Sequence, residues 1–148
     1  MPRLLAMDAP AVRPAPGRWS PQEIVGHLVD SAVVNHARIV RASLGAGMEF
    51  EGYDQDAWVR AGRYAEADWP ALVALWQGLN AQIARVLDGI APDTLDRPHA
   101  AHSLDRTAWE RVLSTESATL RGLADDYVGH LCHRLAAIAP SLVPDPGA

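Results

Sequence analysis

The chain has 148 residues, 49% hydrophobic and 21% charged, a balance that fits one globular domain burying roughly 70% of its unfolded surface. Its 13 basic and 18 acidic residues give a net charge of −5 without a basic patch, which excludes a phosphate-tracking nucleic-acid binder. A single cysteine excludes an internal disulfide, and with neither a charged-then-apolar leader nor an apolar run of about 18 residues, a cytoplasmic protein with no membrane span is expected.

Residues 1–18 carry Pro2, Pro10, Pro14, Pro16 and Gly17, so an extended arm is expected there. Ser20-Pro-Gln-Glu23 then supplies a hydroxyl N-cap, a proline at the first helical position and the glutamate of a capping box. The helix it starts keeps apolar spacing through Ile24, Leu28, Ala32, Ile39 and Val40 to about Leu44, where Gly45 and Gly47 stop it. His27, Ser31, Val34 and Arg38 share one stripe of this helix. By itself a histidine in such a setting is more often a hydrogen-bonded core residue than a ligand.

A glycine-rich, acidic connection runs from Gly45 to Asp54, and Gln55 to Arg60 follow as a short helix, with Trp58 expected as an anchor. Asp68 can cap the next helix with Pro70 in its first turn, and Leu72, Leu75, Trp76, Leu79, Ile83, Val86, Leu87 and Ile90 form its apolar stripe. Residues 91–103 read as a loop, with His99 and His102 on the surface. Residues 107–117 are ambiguous: Thr107-Ala-Trp-Glu110 resembles a capping box, whereas Ser114-Thr-Glu-Ser117 competes for backbone hydrogen bonds. From Ala118 a last helix presents Leu120, Leu123, Tyr127, His130 or Leu131, Arg134 or Leu135, and Ile138. Pro140 ends it, and residues 140–148 form a tail.

This last helix concentrates the chemistry. His130 and Arg134 lie one above the other, His133 sits beside them, and a histidine from a second helix, for which His27 is the candidate, would complete a pair able to hold a metal ion inside a bundle.

Three ordered blocks, Trp19-Ser-Pro-Gln-Glu-Ile-Val-Gly-His-Leu-Val-Asp-Ser31, Tyr53-Asp-Gln-Asp-Ala-Trp58 and Asp126-Tyr-Val-Gly-His-Leu-Cys-His-Arg-Leu-Ala-Ala-Ile138, resemble the DinB-like (YfiT-like) superfamily from about Pro16 to Ile138. The resemblance implies an all-α four-helix bundle over one domain, 1–148, with a long connection between the first two long helices. It further implies a homodimer and a divalent metal, zinc or nickel, on three histidines. Characterised members are thiol-dependent transferases or isomerases that use low-molecular-weight thiols. Carried over residue by residue, the ligands fall on His27, His130 and Arg134. The match fails at Arg134, because a guanidinium stays protonated and offers no lone pair.

Three arrangements are compatible with that departure. In the first, His133 supplies the third ligand, leaving an open position where a bound thiol or water is activated, and Asp30 or Tyr127 orients the surroundings. Such a site suits a thiol-dependent S-transferase or hydrolase. Cys132 points roughly 160° away from Arg134 on the helical wheel and is not a ligand. In the second, Arg134 has replaced the metal's charge and the pocket binds an anionic small molecule, unless Asp30 or Asp126 satisfies the guanidinium instead. In the third, Arg134 reaches solvent and the histidines are structural in a stress-associated bundle.

Overall fold

The computed structural model describes residues 2–8 and 10–138; the expected tail, 140–148, lies outside them. The N-terminal arm is not simply extended: it opens with a single helical turn, α1 (Pro2–Leu5), and turns again where the Arg18 N–H donates to the Ala15 carbonyl at 3.1 Å. Leu4 explains the helical turn: the side chain is fully buried in a cluster with Leu72 and Trp76, and the Trp69 indole N–H donates to the Leu4 carbonyl at 2.9 Å.

The long helix α2 (Pro21–Ser43) begins with the full capping box. Ser20 Oγ accepts from the Glu23 N–H at 3.2 Å and the Glu23 carboxylate accepts from the Ser20 N–H at 2.9 Å. Arg13 of the arm clamps the same carboxylate, with Nε 2.9 Å from Oε2. Burial pushes the Glu23 carboxyl up, and the Arg13 guanidinium with the Ser20 backbone and hydroxyl more than reverses this, leaving it below its ordinary value. Past the C-cap, Leu44, the chain turns sharply at Gly45 and Gly47, whose φ values of 88° and 79° suit residues without a Cβ.

The connection is pinned by Ser103. Its N–H donates to the Met48 carbonyl at 3.1 Å and its hydroxyl accepts from the Phe50 N–H at 2.8 Å, so that Met48 and Phe50 enter the core and Tyr53 is carried over the side of α2. Helix α3 (Gln55–Gly62) follows, capped by Asp54. Its anchor is Val59, 3% exposed, whereas Trp58 is 40% exposed and packs on Tyr53 with ring centroids 4.8 Å apart. A 3₁₀ turn (Tyr64–Glu66) leads to α4 (Trp69–Asp88), capped by Asp68. Here Leu72, Val73, Trp76 and Ile83 are buried. Leu75 is 51% exposed, because it falls about 90° from the centre of that stripe at 100° per residue.

Two more single turns, α5 (Pro92–Leu95) and α6 (Leu104–Thr107), interrupt the next connection, and 108–119 contains no helix. Of the two readings left open at 107–117, the capping box at Thr107 does not form: the Thr107 hydroxyl donates back to the Ser103 carbonyl at 2.9 Å. His102 is buried and not on the surface. Its Nε2 bonds the Glu116 carbonyl at 2.8 Å and its Nδ1 accepts from the Leu104 N–H at 3.2 Å, tying the loop to the bundle end. His99 pairs through its backbone with Ala118 and is half-buried.

The final helix, α7 (Leu120–Ile138), buries Leu120, Leu123 and Tyr127 against α2 and α4 and runs antiparallel to α2. The long helices α2, α4 and α7, with the short α3 packed on α2, make an all-α bundle of the four-helix type. Among the described residues no helix is long and apolar enough to cross a membrane.

Two substitutions test this framework. Ser20→Ala should cost about 1 kcal/mol in urea unfolding. The Glu23 part of the cap, with its depressed carboxyl, should be fully present above the ordinary carboxylate range and lost as pH falls through the folded value, so the Ser20→Ala deficit should shrink in acid. Gly26→Ala should cost more, about 1–3 kcal/mol. A Cβ there would stand 2.1 Å from Tyr64 Cγ and 2.6 Å from its Cβ, and the ring cannot retreat without moving the 3₁₀ turn.

Candidate functional site

Helix α2 buries His27 at 1% exposure, and α7 brings His130 against it: the rings meet edge to face, 81° apart, with Nε2 to Nε2 at 3.2 Å. Arg134, one turn beyond His130, donates its Nε–H to His130 Nε2, also at 3.2 Å. A guanidinium only donates, so the hydrogen-bond network assigns His130 Nε2 as the acceptor. That nitrogen's single lone pair is then taken, so the 3.2 Å approach of His27 Nε2 is a close contact beside the Arg134 bond and does not fix the His27 tautomer. Among the described residues His27 Nδ1 is buried and without a partner.

Electrostatics keeps both rings neutral. Burial, then His130 and Arg134, push His27 down to about 3, while burial, then Arg134 and His133, push His130 down to about 4. The Arg134 guanidinium lies over the Trp19 ring, 5.6 Å from its centroid, and Trp19 in turn packs on His27 at 5.1 Å. A long contact of 3.4 Å links Arg134 Nη2 to Gln55 Oε1. The ion pairs among the described residues join Arg13 to Glu23, Arg63 to Glu66, Asp105 to Arg106 and Asp96 to Arg121; Arg134 is in none of them.

The other residues singled out from sequence go elsewhere. His133 is exposed and stacks on Trp109, ring centroids 5.3 Å apart, outside the His27–His130 contact. Asp30 accepts from the Tyr64 hydroxyl at 2.6 Å through Oδ1, its Oδ2 is buried and unpartnered, and burial raises its pKa. Asp126 receives the Trp109 and Glu110 N–H groups at 3.1 and 2.7 Å. Neither carboxylate satisfies Arg134. Tyr127 lines the pocket with its hydroxyl turned to Asn80 Oδ1 at 2.8 Å. Cys132 is a free, half-buried thiol.

Two cavities adjoin at Arg134. An inner one of about 110 Å³ lies between α2 and α7, against His27, Ser31, Arg38 and Tyr127. An open outer groove of about 1020 Å³ runs between the N-terminal arm and the end of α7. Tyr53, Gln55 and Arg134 line both. Sequence reasoning left out Trp19, Arg38, Tyr53 and Gln55. Arg38 shared a stripe with His27, and the others lay in two of the three blocks.

The divalent metal implied by the resemblance can be tested against these donors. Among the described residues no group of three His, Cys, Asp or Glu side chains is gathered closely enough to hold an ion. The lone pair His130 would offer is engaged by a guanidinium, and His27 Nδ1 lacks the outer partner that orients a ligating imidazole. The residues do not fit a metal in this arrangement.

Comparison with known proteins gives the context. YfiT from Bacillus subtilis, whose structure is reported as a probable metal-dependent hydrolase with an unusual four-helix bundle topology, aligns over 93% of this chain and 74% of its own, with a TM-score of 0.73 and 22% identity. That likeness establishes the fold. No curated protein matches the sequence. The family model of the DinB superfamily matches residues 4–138, nearly the whole of the chain, which therefore belongs to that superfamily.

Proposed function

We propose that the protein binds an anionic small molecule at the meeting of α2 and α7, with the Arg134 guanidinium supplying the fixed positive charge. One observation carries this reading. Arg134 is half-buried, bonded to a neutral imidazole and to a distant amide, and paired with no carboxylate among the described residues. Burial lowers its pKa, yet a guanidinium keeps its proton, so the charge stands partly desolvated and unmatched. A ligand carboxylate would meet the remaining N–H groups of the planar fork bidentately, in a setting where such bonds are about twice as strong as neutral ones. His27 and His130, held neutral, orient Arg134 without repelling it.

A second reading has its own observation. The 3.2 Å between the two Nε2 atoms is close to the roughly 3.3 Å expected for two nitrogens at about 2.0–2.1 Å from one tetrahedral ion. A metal-dependent S-transferase or hydrolase would need Arg134 to swing off His130 and His133 to leave Trp109 and become a third ligand. YfiT, a probable metal-dependent hydrolase, lends that alternative some support.

Elemental analysis of untagged protein separates them. Zinc or nickel well below one ion per chain is expected for the wild type, and close to one for Arg134→His, which puts a third imidazole beside the first two. Stoichiometric metal in the wild type, lost in His27→Ala and His130→Ala, would overturn the anion reading. Its positive test is thermal: a small carboxylate at about 100 times its dissociation constant stabilises by about 2.7 kcal/mol, a rise of several degrees in Tm that Arg134→Gln should abolish.

A further inference from the structure

The inner cavity holds a second cation that the reading above does not use. Arg38 is only 7% exposed and lines the same 110 Å³ space as Arg134. Its Nη2 donates to the Glu51 carbonyl at 2.8 Å, and its guanidinium carbon lies 5.4 Å from the Phe50 ring centroid. Those contacts occupy one edge of the fork and one face. Among the described residues no carboxylate pairs with it. Burial pulls the Arg38 pKa down, with Tyr53 and Asp126 opposing from beyond ion-pair range. Asp126 is the one carboxylate lining the cavity, and both its oxygens are taken by loop N–H groups.

The two arginines line the space from different helices, Arg134 from α7 and Arg38 from α2. Arg134 is bonded to His130, which touches His27, and Arg38 follows His27 on α2 by eleven residues, about 16 Å along the axis at 1.5 Å per residue. The arginine stem, leaning toward the helix N-terminus, recovers part of that length. Polar groups share the wall: Ser31, Asn35 and Tyr53 line it, and the Tyr53 hydroxyl feels both arginines. A single tetrahedral anion would meet one cation and leave the other unmatched. The volume, well under the roughly 300 Å³ of ordinary cofactor pockets, excludes a bulky ligand from this inner space.

We propose that Arg38 is the second anchor of the pocket and that the ligand is a compact two-ended acid of the malonate-to-glutarate size class, one carboxylate at Arg134 and the other at Arg38. This deepens the anion reading and rests on it.

Calorimetric titration of the full chain with succinate, propionate and inorganic phosphate tests it. Wild type should bind succinate about tenfold or more tightly than propionate, the gain expected for one further charge-assisted contact. Arg38→Gln should bring that ratio to about one, and Arg38→Lys, which keeps charge but loses the fork, should leave it intermediate. If Arg38→Gln does not fold, the fall in the ratio for Arg38→Lys is the deciding measurement. Equal affinities for succinate and propionate in the wild type, a ratio unmoved by either substitution, or phosphate binding more tightly than succinate would each overturn the second anchor. Silence from all three anions would remove the anion reading itself, a different result from a monoanion bound as well as a dianion.

Discussion

The lone pair on His130 Nε2 can serve one cation at a time, and in this bundle it serves Arg134. Much of the site follows from that. With the guanidinium as donor, a neutral His130 carries its proton at Nδ1, no lone pair is left for a full hydrogen bond from His27, and burial with the nearby charge pushes both imidazoles toward the neutral form. The same nitrogens converge as two ligands of one ion would, so the same two helices carry the spacing of a metal-type site and the charge on which the proposed anion site rests. A single side chain, at position 134, decides between them.

The scaffold that presents this pair is built from close approaches. Gly26, next to His27, leaves room for the Tyr64 ring, and Tyr64 in turn gives its hydroxyl to Asp30 one turn along α2. Gln22, a turn before Gly26, donates to the Tyr64 and Ala67 carbonyls at 2.7 Å each, holding the segment before α4 against α2. The face of α2 around His27 is therefore fixed by contacts with the connection after α3 as well as by the core. Asp30, an attractive partner for a cation on sequence grounds, is drawn away by this packing. Its carboxyl, raised by burial and bonded to a phenol, belongs to the fold more than to the pocket.

What the sequence made legible was what local chemistry controls. Ser20 and Glu23 lie three residues apart and cap the same helix end, so their spacing suffices to start α2. His27 and His130 were legible because helical periodicity put each on an inward face, and Arg134 because its departure from the family pattern is a single letter. The rest depended on how connections fold back over the bundle. Tyr53 and Gln55 reach the site only because Ser103, more than fifty residues away in sequence, pins Met48 and Phe50. His102 looked like a loop residue and is buried because the loop closes over the bundle end. At 107–117, Asp126 from α7 takes the N–H groups of Trp109 and Glu110. Local hydrogen-bond competition left helix and loop equally open there, and a distant carboxylate favoured the loop.

Two buried or half-buried guanidiniums around one cavity, with no carboxylate paired to either among the described residues, are an expensive way to build a bundle. Apolar residues of similar volume would stabilise the core better, and a carboxylate bonded to either fork would neutralise its charge. The structure does neither: Asp126 is spent on the loop and Asp30 on Tyr64. Trp19 and Phe50 soften the cost by offering ring faces to Arg134 and Arg38, which leaves for other hydrogen bonds the N–H groups not already given to His130, Gln55 and Glu51. Cations held by their faces with donors to spare are what supports the proposed anionic ligand. The outer groove, sharing Tyr53, Gln55 and Arg134 with the inner cavity, would give such a ligand its way in.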